Sequence, residues 1–184
     1  MVSKRKNFLL CANFLMSEAD TPWARLASRV TRVALARKDY TYGSLVEALT
    51  NDGETGGDRA IVSRISRGTL RLSLFLHILS VTGARVPERW VDALRSRKDW
   101  DARASAVTRA EMSSQPPELA RDLTTSLSRL GTVMAAKTLD TQIQNGSLPL
   151  SLFLQLLYLL NSNSLERFID QDDLAEAARS TVRT

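Results

Sequence analysis

The chain has 184 residues, of which 43% are hydrophobic and 24% are charged, and its formal net charge is +5 at pH 7. This length suits one compact domain or two small ones, and only eight Gly and five Pro argue against a loop-rich β fold. Its single cysteine, Cys11, excludes an internal disulfide, and its single histidine leaves too few ligands for a zinc site built from Cys and His. We therefore expect a cytoplasmic protein that holds neither a metal nor a cofactor.

Catalysis by a nucleophile and a histidine base would have to use His77. This residue lies in the apolar run LSLFLHILSV, and Gln155 holds the equivalent place in a later copy of the run. We interpret His77 as an ordinary helical residue, because the copied helix has no titratable group there. No ligand cluster, nucleophile-base pair or cofactor loop is evident in the sequence. The chain is therefore predicted not to be an enzyme and to have no catalytic residues.

Charge is divided unevenly along the chain. Residues 1–110 hold 19 Lys and Arg against 11 Asp and Glu, whereas residues 111–184 hold 6 against 9. A basic half beside a mildly acidic half indicates one module that faces a polyanion and another with a different task. Residues 1–20 start like a secretion signal but lack a small-residue cleavage site, so we interpret them as a loose tail or a short helix. No other segment predicts a membrane span.

The first predicted helix covers TPWARLASRVTRVALARKD, where Thr21 or Asp20 can cap the start and Arg25 belongs to a basic stripe. Its apolar residues recur three or four positions apart on one face: Trp23, Leu26, Val30 and Val33. The second helix, TYGSLVEALT, is shorter and has Thr41 as its N-cap. The segment NDGETGGD then predicts a flexible connector.

The third predicted helix, DRAIVSRISRG, is capped by Asp58 and ends at Gly68. Three apolar residues share one of its faces: Ile61, Val62 and Ile65. At about 100° per residue, the opposite face holds Arg59, Ser63 and Arg67, with Arg64 at the flank. A short helix with one apolar face thus presents long hydrogen-bond donors on the other.

The remaining predicted elements are also helices. TLRLSLFLHILSVTG predicts a fourth, mostly buried helix, and VPERWVDALRSRKDW predicts a fifth. Residues 101–117 are mixed and polar and end in Pro116-Pro117, so we expect a linker there, between a first unit at 21–100 and a second at 118–184. The second unit contains a leucine-marked helix, short helices in GTVMAAKTL and DTQIQNG, the buried run LSLFLQLLYLL and the closing segment SLERFIDQDDLAEAARS.

Much of the first unit recurs in the second. ISRGTLRLSLFLHIL, from Ile65, matches IQNGSLPLSLFLQLL, from Ile143, at an offset of 78 that also pairs two exposed Glu-Arg dipeptides. This agreement predicts an internal duplication. A second match, of YGSLVEAL with LGTVMAAK, has an offset of 88 and predicts that the second copy lacks about ten residues, roughly the glycine connector. The expected fold is all-α, with two tandem helix-turn-helix-like units.

The stretches TYGSLVEAL, IVSRISRGTL and LFLHILSVTG together resemble the common repressor pattern of a Thr-capped helix, a recognition helix and a Leu-rich fourth helix. The first unit is therefore identified as similar to λ-repressor-like (XRE-type) helix-turn-helix domains. More narrowly, it resembles a small bacterial family of uncharacterised helix-turn-helix domains with Trp-Ala, Thr-Tyr and Ser-Arg-Gly-Thr landmarks. The connector is about twice as long as in a tight helix-turn-helix.

This resemblance implies a sequence-specific regulator that binds double-stranded DNA through the first unit. Arginine can donate two hydrogen bonds to guanine, and smaller polar groups hold phosphates. The residues expected to contact DNA are Arg59, Ser63, Arg64, Arg67, Arg71, Thr41, Tyr42, Ser44 and Arg25. An alternative for Arg64 or Arg67 is an ion pair with a carboxylate such as Glu47.

The second unit has neutral residues, Gln142, Asn145 and Pro149, where the first has three arginines, and its buried run is more apolar. We therefore expect it to have become an interface, either with the first unit or with another subunit of a homodimer. The interface residues proposed on this basis are Leu156, Tyr158, Leu159, Leu160 and Phe168. The alternative function is a non-enzymatic adaptor, of phage, plasmid or antitoxin type, that binds a protein partner on the same scaffold.

Overall fold

The computed structural model describes residues 20–96, 98–113 and 123–182. Within these ranges the chain forms ten α-helices and no strand, which confirms the predicted all-α fold. The helices are α1 (Pro22–Ala36), α2 (Tyr42–Asn51), α3 (Asp58–Arg67), α4 (Leu72–Val81), α5 (Val91–Arg95), α6 (Trp100–Ser113), α7 (Leu123–Arg129), α8 (Ala136–Gln144), α9 (Leu150–Leu159) and α10 (Gln171–Val182). A 3-10 turn, Glu88–Trp90, leads directly into α5.

The ends of the first helices follow from local side-chain chemistry. Thr21 accepts a hydrogen bond from the backbone N–H of Ala24 at 3.0 Å and so caps α1. Thr41 and Ser44 form a reciprocal capping box at the start of α2. Helix α3 ends at Gly68, whose φ of 70° is the left-handed conformation that favours glycine. These three boundaries agree with the sequence prediction.

Helix α3 lies so close to α1 that only glycine fits at its end. A Cβ atom on Gly68 would stand 1.7 Å from the backbone oxygen of Ala24. Nearby, the hydroxyl of Ser28 donates to the carbonyl oxygen of Ser66 at 3.1 Å. Because both contacts involve backbone atoms, α1 sets the position of α3 without relying on long, mobile side chains.

The second unit repeats these contacts almost atom for atom. A Cβ atom on Gly146 would stand 1.8 Å from the backbone oxygen of Asp101. The hydroxyl of Ser105 donates to the carbonyl oxygen of Gln144 at 3.2 Å, as Ser28 does in the first unit. Helix α6 is therefore the counterpart of α1, and the second unit starts at α6.

This finding corrects the linker expected at residues 101–117, because residues 101–113 belong to α6. The buried face of α6 is made mainly of small or hydroxyl-bearing residues, which give little hydrophobic periodicity: Ala104, Ser105, Val107 and Thr108. Such residues allow close helix packing, but a search for apolar stripes misses them. Residues 114–117 lie outside the described part of the chain.

The register between the two units is also corrected. The N–H of Glu54 donates to the carbonyl of Leu49 at 2.9 Å, and the N–H of Thr132 donates to that of Leu127 at the same distance. Helix α7 is thus the counterpart of α2 at an offset of 78. The offset of 88 and the missing glycine connector are wrong, since residues 130–135 form that connector. The two short helices expected in GTVMAAKTL and DTQIQNG are the single helix α8.

The two units meet through a reciprocal pair of backbone hydrogen bonds. The N–H of Leu72 donates to the carbonyl of Leu148, and the N–H of Leu150 donates to that of Leu70, both at 2.9 Å. These residues correspond at the offset of 78, and the bridge between Arg71 and Pro149 lies between them. The arrangement has the self-complementary form of a twofold interface, built within one chain.

The helices on either side of this junction pack crosswise. Helix α1 contacts α3 of its own unit and α9 of the other, while α6 contacts α8 of its own unit and α4 of the other. At the far ends, α5 packs on α6 and α10 packs on α1. The buried apolar residues of both units consequently join in one cluster. No helix in the described ranges has the length and hydropathy needed to cross a membrane.

Candidate nucleic-acid interface

Helix α3 rests on the core through one narrow face. Ile61 and Ile65 are fully buried, while Val62 is only half-buried. Its N-cap is Gly57 rather than the expected Asp58, which is the first residue of the helix. A negative charge in the first turn of a helix is favourable, and this accounts for the position of Asp58.

The opposite face of α3 carries the arginines that the sequence placed there. Arg59 and Arg67 are exposed, and Ser63 between them is half-buried. The Nε of Arg67 donates to the carbonyl oxygen of Ser63 at 3.4 Å, which is a contact within the helix. Neither Arg59 nor Arg67 forms an ion pair with any residue that the structure describes. The two guanidinium groups therefore face solvent on a supported helix.

Arg64 and Arg71 have different surroundings. Both are exposed, but they line a cleft of about 610 Å³ with three carboxylates: Glu54, Asp99 and Asp101. No ion pair within 4.0 Å joins these groups in the described ranges, and Glu47 pairs with neither Arg64 nor Arg67. Since a phosphate entering this cleft would also approach carboxylates, Arg59 and Arg67 are better placed than Arg64 and Arg71 to meet a polyanion.

The residues expected at the start of α2 serve mainly to begin the helix. The hydroxyl of Thr41 accepts from the N–H of Ser44 at 3.1 Å, and the hydroxyl of Ser44 accepts from the N–H of Thr41 at 3.0 Å. Tyr42 is half-buried and lines a groove of about 400 Å³ between α2 and α3, together with Val46 and Val62. The hydroxyls of Thr41 and Ser44 are exposed, but their hydrogen bonds within the cap occupy them.

Two arginines of the basic stripe on α1, Arg25 and Arg29, already bind other residues of the chain. Arg25 is exposed and donates to the backbone oxygen of Asp20 at 2.6 Å. Arg29, one turn further on, pairs with Asp173 of α10 at 2.6 Å. Arg25 lines a groove together with Arg29 and Asp173, and none of the α3 arginines lines this groove.

Helix α8 is the counterpart of α3 and has a weaker positive face. At the offset of 78, Gln142 and Asn145 stand where the first unit has Arg64 and Arg67. Lys137, an exposed residue that sequence reasoning missed, stands where the first unit has Arg59. Extending the repeat six residues upstream of Ile143 would have revealed it. The α8 face retains a single cation of this set.

The expected interface residues of the second unit lie inside the chain. Three of them are buried, Leu156, Leu160 and Phe168, and two are half-buried, Tyr158 and Leu159. The rings of Tyr158 and Trp23 lie 6.1 Å apart between centroids, across the contact of α9 with α1. The sequence left open whether this surface meets the first unit or another subunit. The structure places it against the first unit.

His77 lies in a helix, as the sequence predicted. Its side chain is buried in α4, its Nε2 lies 2.8 Å from Asp52 Oδ2, and its Nδ1 lies 3.6 Å from Glu54 Oε2. The His77 ring stacks on the Trp100 ring with 4.5 Å between centroids. The guanidinium carbon of Arg103 lies over the same Trp100 ring, 4.2 Å from its centroid. His77 thereby connects α4 to the glycine connector and to α6. The described residues contain no cluster of three or more His, Cys, Asp or Glu suited to a metal ion.

Taken together, the chain is an all-helical protein of two repeated helical units, with an exposed basic face on the third helix of the first. A family model described as Domain of unknown function (DUF6471) matches residues 23–86 and matches again at residues 100–165. Because these segments cover more than half of the chain, the protein belongs to this family. The two matches begin at the first helices of the two units, α1 and α6. No curated protein and no solved structure matches the chain.

Proposed function

We propose that the protein is a sequence-specific regulator that binds double-stranded DNA, with α3 in the major groove. The observation that carries this proposal is the pair of exposed guanidinium groups of Arg59 and Arg67, which lack ion pairs in the described part of the chain. A recognition helix must keep one side on its domain and offer donors on the other, and α3 meets both requirements. Arginine matches the O6 and N7 acceptors of guanine with two hydrogen bonds.

The rigid seating of α3 supports the same proposal. Hydrogen bonds to base edges are specific only if the helix that carries the donors is held in place. The close contact of Gly68 with Ala24 and the hydrogen bond from Ser28 to Ser66 hold α3 by its backbone. In this proposal Arg59 and Arg67 read bases, and the exposed parts of Arg64 and Arg71 contact phosphates at the edge of the cleft.

The second unit supports the first in this proposal. Its α9 and α10 cover α1, and α1 in turn positions α3. The reciprocal backbone pairing also relates α8 to α3 across the junction, so a single chain carries two copies of the candidate recognition helix. Since α8 keeps only Lys137 of the cationic set, we infer that α3 provides most of the affinity. The homodimer expected from the sequence stays a prediction.

A binding assay across salt concentrations tests the proposal. A fluorescent random-sequence duplex is titrated with the wild-type protein at several salt concentrations, and preferred sites are then selected from a random pool. The affinity is expected to fall steeply as salt rises, because cations that contact phosphates release counterions. Replacement of Arg59 and Arg67 by alanine should weaken binding to a selected site by about 1–3 kcal/mol per residue.

A charge-matched control separates base contacts from overall charge. Arg95 and Arg129 are exposed arginines outside α3, and their joint replacement by alanine removes the same charge. The control is expected to keep the selected sequence preference. Equal losses in the two double variants, or duplex binding that does not change with salt, would contradict the proposal.

A protein-binding adaptor is the second candidate, and one observation favours it. The groove between α2 and α3 combines the half-buried side chains of Tyr42 and Val62 with two carboxylates, Glu47 and Asp58. Such a lining suits a basic, partly apolar peptide segment better than a phosphate. Recovery of one stoichiometric protein partner, with no duplex retained at low salt, would support the adaptor over the DNA regulator.

A further inference from the structure

A second concentration of positive charge lies away from α3 and was not recognised in the sequence. Four exposed cations border one shallow groove of about 190 Å³: Arg37, Lys38, Arg85 and Arg167. Ala84 and the buried Phe168 complete its lining. We call this site the basic groove. No carboxylate is among the described residues that line it, and none of its four cations forms an ion pair within the described ranges.

The four cations come from three separate parts of the chain. Arg37 and Lys38 follow the end of α1, Arg85 follows α4, and Arg167 lies between α9 and α10 in the second unit. Cations near the end of a helix interact favourably with its dipole, which accounts for Arg37 and Lys38. The same effect does not account for Arg167, which precedes α10 by four residues. Folding therefore brings like charges together without an acid between them.

The repeat explains why Arg167 is free to face this groove. Its counterpart in the first unit is Arg89, whose Nη1 donates to Glu111 Oε2 at 3.2 Å. Glu111 lies on α6, and because Ser28 of α1 corresponds to Ser105 of α6 at an offset of 77, the equivalent residue of α1 is Ala34. The acceptor that engages Arg89 thus has no equivalent opposite Arg167. The half of the molecule that holds the basic groove therefore lacks the carboxylate that engages Arg89 in the other half.

We propose that the basic groove binds phosphate groups. Guanidinium and ammonium groups donate charge-assisted hydrogen bonds to phosphate oxygens, and several cations without a carboxylate favour a dianion or a polyanion over a neutral ligand. The phosphate belongs either to the backbone of duplex DNA or to a small phosphorylated molecule. The groove shares no residue with the α3 face, so this proposal does not depend on base reading by α3.

The test uses the full chain and a double variant, Arg85→Gln with Arg167→Gln. A charge-matched control, Arg129→Gln with Arg179→Gln, removes two exposed arginines of α7 and α10 that do not line the groove. Pyrophosphate is the small-molecule probe, titrated by calorimetry, and a random-sequence duplex is the nucleic-acid probe. A third variant, Arg85→Lys with Arg167→Lys, restores charge, and matching circular dichroism melts show that each variant is folded.

The two probes distinguish the sources of phosphate. For a DNA backbone, the groove variant is expected to reduce the slope of log affinity against log salt by about 0.9 per lost phosphate contact, and the lysine variant should restore it. For a small ligand, pyrophosphate binding should be lost in the groove variant and kept in the control. The proposal is overturned if wild-type protein binds neither probe at low salt, or if the groove variant and the control behave alike. An Arg59→Ala, Arg67→Ala variant, measured with the same probes, tests DNA binding by α3 separately from phosphate binding by the basic groove.

Discussion

Trp90, in the first unit, donates its indole N–H to the carboxylate of Glu111, in the second, at 2.5 Å. Glu111 is 1% exposed and also accepts hydrogen bonds from Ser162, at 2.7 Å, and from Ser164. Arg89 adds a donor from the partly exposed side. A buried carboxylate is costly unless donors surround it, and here the donors come from both repeats. Glu111 therefore connects the two units through one buried polar cluster.

Replacement of Glu111 by alanine is expected to lower the free energy of unfolding by roughly 3–5 kcal/mol, because it leaves Trp90 and Ser164 as buried donors without their acceptor. Glutamine at this position keeps one acceptor oxygen and should cost less. Urea denaturation monitored by tryptophan fluorescence measures both. Glu176→Ala, on the exposed side of α10, is the control and should change stability by no more than about 0.5 kcal/mol. A Glu111→Ala variant as stable as this control would show that the cluster contributes nothing.

Gly68→Ala is expected to destabilise the protein by roughly 3–5 kcal/mol, because it combines a left-handed backbone with a Cβ placed 1.7 Å from the oxygen of Ala24. Gly43→Ala is the matched control. Gly43 is the second residue of α2, and a Cβ there meets only Thr41 Oγ1 at 3.8 Å, so alanine should stabilise the helix, by less than the roughly 0.5–1 kcal/mol expected at a helix centre. Thermal melts of the two variants should therefore shift in opposite directions. A Gly68→Ala variant at least as stable as the wild type would contradict the close contact of α1 with α3.

Leu156→Ala should act on folding and leave the oligomeric state unchanged. Leu156 is buried in α9 against the rest of the chain, and truncation of such a residue costs about 2–5 kcal/mol. Analytical ultracentrifugation at a temperature where the variant is folded measures its mass beside that of the wild type. If a wild-type dimer became a folded monomer on this change, the original expectation of a subunit interface at Leu156 would be restored.

Arg67→Lys is expected to separate sequence choice from charge in the DNA-binding proposal. Lysine keeps the positive charge but loses the planar pair of donors that matches guanine. Discrimination against a substituted guanine in the selected site should then fall by about 1–3 kcal/mol, while binding to random duplex and its salt slope stay close to wild type. Competition assays with single-base variants of the selected duplex measure this. Full retention of discrimination would remove Arg67 from the base-reading set.

Much of the local structure was determined by the sequence alone. Helical periodicity placed Ile61 and Ile65 on the buried face of α3 and Arg59 and Arg67 on the exposed face, since residue spacing decides which side chains share a face. The Thr41 cap and the end of α3 at Gly68 also follow from local chemistry. The internal duplication was evident for the same reason, because matching residues at a constant offset need no knowledge of packing.

Tertiary structure alone decided how the copies pair and where the second begins. Helix α6 was expected to be a linker because its buried face uses small residues, which stabilise by close packing rather than by an apolar stripe. The crosswise contacts of α1 with α9 and of α4 with α6 join residues far apart in sequence, and periodicity carries no information on them. The same long-range pairing buries Glu111 beside Trp90 and gathers the cations of the basic groove. A residue's spacing in sequence determines which way it points, whereas its neighbours are determined by which helices pack together.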